Sequence, residues 1–120
     1  MKLAVTSQGN DLNSQVNPRF GRTKWFIIYD TKTGDFTAHD NNQNVNAAQG
    51  AGIQTARNVA NLGAEAVITG NVGPKAFRTL TAARIKIYLT ENQTVQEAID
   101  SYNSGNLKQL DNANVDSHWT

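Results

Sequence analysis

GAGIQTARNVANLGAEAVITGNVGPKAFRTL, residues 50–80, changes its hydrophobic period twice, and those changes decide the fold. Ile53, Ala56, Val59, Ala60 and Leu62 recur at helical spacing opposite Gln54, Arg57, Asn58 and Asn61, and Gly63 follows as a natural stop. This predicts an amphipathic helix. Ala66–Thr69 is then a short unbroken apolar run between Gly63 and Gly70, the signature of a buried strand. Gly70, Asn71, Val72 and Gly73 make a turn, and Pro74 sits where the first helical position tolerates a missing N–H. A second helix follows, predicted to bury Ala76, Phe77 and Leu80. Helix, buried strand, glycine turn, helix is the grammar of an α/β domain.

Working outward, Leu3–Val5 reads as a first strand, ended by turn-forming residues from Thr6 to Asn10. A long irregular loop runs from there to Arg22. Trp25–Tyr29 and Phe36–His39 are strands joined by a hairpin connection, Asp30 to Asp35, with Gly34 available for a positive φ. Asp40–Gln49 is rich in Asn and Gln without apolar periodicity and reads as a second loop. On the other side, Ile85–Leu89 is the last strand expected. Thr94 and Glu97 form a capping box for a third helix, whose face is Val95, Ala98, Ile99 and Tyr102. Gly105 ends it. Residues 1–105 are expected to form one α/β domain and residues 106–120 a polar C-terminal tail. The predicted order, three strands and then three helices alternating with two strands, implies a mixed sheet with helices on its faces. Ligands of such sheets bind beyond the carboxyl ends of the parallel strands, here Thr6–Gly9 and Gly70–Gly73.

Composition narrows the function classes. At 120 residues one hydrophobic core is expected, and 38% apolar with 18% charged residues is the balance of a globular chain. Eleven basic against ten acidic side chains leave a formal charge of +1, which offers no general attraction for nucleic acid or anionic lipid. There is no cysteine, which removes disulfides, thiolate ligands and cysteine nucleophiles together. No leader, no membrane span and a cytoplasmic location are expected.

Two glycine-bearing turns, Gly50–Gly52 and Gly70–Gly73, each open a helix, where free N–H groups and about half a positive charge face outward. Arg19, Arg22 and Lys75 add cationic donors, so the pattern predicts a cradle for a compact anion. Gly-to-helix turns commonly do no more than cap helices, loop arginines are commonly solvated, and Phe20 has an alternative reading as a plug for the sheet edge. His39 and His118 have no metal-ligand spacing, although a tail carrying His118 and Trp119 would reach a site if it folded back. No nucleophile turn is present, and the first strand lacks the carboxylate that a nuclease of this strand order uses to hold metal. No catalytic residue is expected, and the chain is read as a non-enzyme.

KLAVTSQGNDLNSQVNPRFGR at residues 2–22, QGAGIQTARNVANLGAEAVITGNVGPKAFRTL at 49–80 and IKIYLTENQTVQEAID at 85–100 resemble the dinitrogenase iron-molybdenum cofactor biosynthesis family. The resemblance implies a ribonuclease H-like fold: a five-stranded mixed sheet of order 3-2-1-4-5, strand two antiparallel, with helices on both faces. It implies that Ser7, Arg19, Phe20, Gly21, Arg22, Gly50, Gly52, Asn71, Val72 and Gly73 line the pocket, through the RFGR, GxG and NVG elements. The implied cargo is a metal-sulfur cluster of molybdenum–copper sulfide type, or a thiomolybdate precursor, held non-covalently. Relatives often carry His just before the GxG segment, whereas this chain has Gln49, which leaves retention to electrostatics, N–H donors and apolar contact. The alternative implied is a regulatory module working with a partitioning-type P-loop ATPase.

Overall fold

The computed structural model describes residues 1–45, 47 and 50–116. Its strands are β1 (Lys2–Ser7), β2 (Trp25–Asp30), β3 (Phe36–Asp40), β4 (Ala66–Thr69), β5 (Lys86–Leu89) and β6 (Lys108–Gln109). The helices are α1 (Asn42–Val45), α2 (Ala51–Asn61), α3 (Pro74–Ala82) and α4 (Val95–Asn103). They build a mixed α/β fold on one sheet of order β3-β2-β1-β4-β5-β6.

β1 lies at the centre because its side chains can be buried on both faces. Val5 stands opposite Ile27 of antiparallel β2 and opposite Ile68 of parallel β4. Alternation along the strand then sends neighbours to opposite layers. Leu3 and Val5 join Ile27, Ile68 and the α4 residues Val95, Ala98 and Ile99 in one cluster. Ala4 faces the other way, with Phe26, Val67 and Ile87, onto Ala56 and Val59 of α2 and Ala76 and Leu80 of α3. Helices therefore cover both faces, as expected. Each Val, Leu or Ile side chain buried this fully stabilises the fold by roughly 1.5–3 kcal/mol.

Three expectations are corrected. The sheet has six strands rather than five, because Lys108–Gln109 pairs antiparallel with β5 through Tyr88↔Gln109 and Leu89↔Lys108. Two exposed polar residues carry no alternation to read; the pairing is set by the open edge of β5 and by Leu110, whose N–H donates to Ile87 O at 2.8 Å while its side chain packs on the core. The segment read as a loop from Asp40 holds helix α1. Polar contacts rather than an apolar stripe stabilise it: buried Asn41 donates to Thr23 O at 3.0 Å and to Thr55 Oγ1 at 3.1 Å, and Asn44 donates to Asn41 Oδ1 at 2.9 Å. Finally, α2 begins at Ala51, two residues before its amphipathic pattern, with Gly50 as its N-cap. Gln49, His118 and Trp119 lie outside the described residues. No helix among the described residues is long and apolar enough to cross a membrane.

Candidate functional site

The long loop after β1 is aimed by Asn17. Thr6 Oγ1 donates to Asn17 O at 2.7 Å, Asn17 N–H donates to Thr6 O at 3.0 Å, and Arg19 N–H donates to Asn17 Oδ1 at 3.0 Å. The last bond is an Asx turn, the behaviour that Asn before Pro favours. From there the chain enters the space between the two glycine turns. Arg19 pairs with Asn71 in a parallel bridge, Phe20 N–H donates to Asn71 O at 3.2 Å, and Asn71 Nδ2 donates to Pro18 O at 3.0 Å. On the other side Thr55 Oγ1 of α2 donates to Gly21 O at 3.1 Å.

Glycine makes these approaches possible. A Cβ on Gly21 would stand 2.8 Å from Gly52 Cα, and one on Gly70 would stand 2.8 Å from Pro18 Cα. Both obstacles are backbone. RFGR is thus packed main chain against main chain on GxG, and Pro18, just before RFGR, on Gly70, just before NVG.

The sequence-predicted residues divide into two sets. Ser7, Phe20, Gly21, Gly52, Val72 and Gly73 are buried, and Phe20 and Val72, each 1% exposed, belong to the core. They hold the loops in place. Ser7 N–H donates to Thr23 Oγ1 at 3.1 Å and Ser7 Oγ donates to Gly9 O at 2.7 Å. Arg19, Arg22, Gly50 and Asn71 are half-buried and reach the surface. Arg22 Nη1 donates to Val45 O at 3.0 Å and to Ala47 O at 2.7 Å, so part of its guanidinium tethers the end of α1. Gly50 has a φ of 78°, and nothing lies within 4 Å of where its Cβ would be.

The helix starts around this point differ from the third. The N-termini of α2 and α3 have no side-chain cap, whereas Thr94 and Glu97 cap α4 reciprocally. Among the described residues, no side chain therefore competes for the first-turn donors of these two helices. Asn114 also belongs here: its Oδ1 accepts from Val72 N–H at 2.8 Å. The sequence carries no periodic or motif signal for that contact.

A cleft of about 310 Å³ shares Pro18, Gly70 and Asn71 with these loops and extends to Gln15, Val16, Thr90, Glu91 and Asn92. Its lining contains no cation and one carboxylate, so it suits amide and hydroxyl groups better than an anion. His39 is engaged within the sheet: it stacks on Phe26 with ring centroids 5.6 Å apart, and its Nε2 lies 2.8 Å from Thr37 Oγ1. Two groups with displaced protonation equilibria stand at the opposite end of the sheet. The Lys32 N–H, donating to Asp30 at 2.8 Å, holds that carboxyl below its usual range. Burial, then the proximity of Tyr88 and Glu65, raises the Tyr102 hydroxyl. Among the described residues no group of three or more His, Cys, Asp or Glu could hold a metal ion.

Comparison with known proteins agrees with this architecture. The profile of the family described as "Dinitrogenase iron-molybdenum cofactor" matches residues 1–105. The apo form of the orange protein from Desulfovibrio gigas superposes with a TM-score of 0.93 at 37% identity, over 95% of this chain and 96% of that one. A NifB-like protein from Thermotoga gives a TM-score of 0.81 at 42% identity, over 91% and 92% of the two chains. An uncharacterized protein of Methanocaldococcus jannaschii is 29% identical over 113 residues, 92% of each chain.

Proposed function

The chain belongs to the dinitrogenase iron-molybdenum cofactor family, and from that premise we propose that it carries or stores an anionic metal-sulfur cluster in the cytoplasm without a covalent protein bond. The observation that carries this reading is the meeting of two uncapped helix N-termini with the Arg19–Arg22 loop. The donor set fits such a cargo. With no cysteine in the chain, no thiolate can bind metal directly. Backbone N–H groups and guanidinium N–H groups instead donate to anionic sulfur, individually weakly and collectively with useful strength.

The roles divide by burial. Arg19, Arg22, Gly50 and Asn71 form the surface that meets the cargo, and the buried members fix its shape. Apolar contact from Phe20 or Val72 is not part of the reading, since both side chains are spent on the core. The cargo is of molybdenum–copper sulfide type, the identity implied by the family resemblance, and the element order supports the ribonuclease H-like class. No bond is made or broken by the protein.

Reconstitution tests this. Apo-protein mixed with a copper salt and tetrathiomolybdate is expected to yield a coloured species that co-elutes with protein on gel filtration. Arg19→Ala combined with Arg22→Ala is expected to weaken retention, each charged donor being worth roughly 1.5–3 kcal/mol where water is excluded. A folded double variant that retains as much colour as the parent would rule the reading out.

A further inference from the structure

We propose that residues 110–116 form an acidic strap that occupies the cargo's place at the β4–α3 turn and leaves it when cargo binds. This rests on the carrier reading above and deepens it. Leu110 is the fixed end, packed on the core and bonded to Ile87 O at 2.8 Å. From there DNANVD, residues 111–116, crosses to the turn with two aspartates and no cation.

Asn114 makes the landing. Its Oδ1 accepts from Val72 N–H at 2.8 Å, its own N–H donates to Val72 O at 3.2 Å, and its Nδ2 donates to Asn71 Oδ1 at 3.1 Å. Asn71 is the same residue that grips Pro18 and Phe20 of the cationic loop. The strap therefore sits against the junction where the anion is read to bind. A carboxamide oxygen on a main-chain N–H is a neutral version of the contact that an anionic sulfur would make there.

The geometry also makes the strap displaceable. Asn114 itself is solvent-exposed, while the Val72 side chain is only 1% exposed. Opening the strap would free the Val72 N–H without unpacking Val72. Hydrogen bonds to charged groups are roughly twice as strong as neutral ones, so a charged ligand outcompetes an amide oxygen at one donor.

Full-length ¹⁵N-labelled parent, Asn114→Ala and Asn114→Asp chains titrated with tetrathiomolybdate provide the test. Asn114→Ala is expected to bind about fivefold more tightly, the equivalent of one neutral hydrogen bond no longer competing. Asn114→Asp, which places a charge at the same donor, is expected to bind more weakly than the parent. In the parent, the Val72 amide and Asn114 side-chain signals should shift with occupancy, and the Val72 amide should exchange faster in Asn114→Ala than in the parent. Equal affinity in all three chains, or weaker binding by Asn114→Ala, overturns the strap and leaves the carrier reading standing. No binding by any chain overturns the carrier reading and the strap with it.

Discussion

A methyl group on Gly21 would press against the α2 backbone, and one on Gly50 would enter open space. The two glycines look alike in the sequence and do different work. At Gly21 the neighbour is Gly52 Cα at 2.8 Å, which moves only if the loop or helix moves. At Gly50 the cost is conformational, because a φ of 78° lies in the left-handed region. Gly21→Ala is therefore expected to destabilise by about 1–3 kcal/mol as overpacking, and Gly50→Ala by roughly 1–2 kcal/mol as backbone strain. Urea denaturation of both, with Gly21→Ala also loosening the 17–22 loop by hydrogen exchange, separates the causes. An unchanged midpoint for Gly21→Ala would show that the contact is not close. The motifs name the residues proposed for the site, and only the structure divides them into buried and surface-reaching members. Phe20 in a loop beside two arginines reads either as ligand contact or as a plug for the sheet edge, and the structure places its side chain in the core.

At the scale of elements, legibility followed how local the stabilising contacts are. The α4 start was readable because its capping box closes within four residues: Glu97 N–H donates to Thr94 Oγ1 at 3.1 Å and Thr94 N–H to Glu97 Oε1 at 2.8 Å. Thr94→Ala is expected to lower stability by about 1 kcal/mol. A shifted thermal midpoint with an unaltered circular dichroism spectrum would bear this out; no shift would mean that the cap is redundant with the Ser14 O and Leu12 O contacts of Val95 and Gln96 N–H. Helix α1 was unreadable for the opposite reason. Its partners, Thr23, Thr55 and the Arg22 guanidinium, come from elsewhere in the chain, and nothing in NQNV announces them.

Over the whole molecule, β6 and the strap close the sheet on the side away from the hairpin. Leu110 is the apolar anchor of that closure, half-buried against the α2–α3 layer of the core. Leu110→Ala is expected to cost about 1–2 kcal/mol, below the 2–5 typical of fully buried leucines, because part of the side chain remains in water. The urea midpoint measures it, and an unchanged midpoint would mark residues 106–116 as an appendage rather than a part of the fold. Without coordinates the chain already yields five of the six strands, the three longer helices with their buried faces and the three motif loops, since hydrophobic period and turn chemistry are local properties; the sheet order came from the family resemblance. The meeting of those loops, the sixth strand, the polar support of α1 and the seat of Asn114 came only with the tertiary structure. Each depends on a close approach or a single hydrogen bond between distant residues, and such contacts leave no period in the sequence.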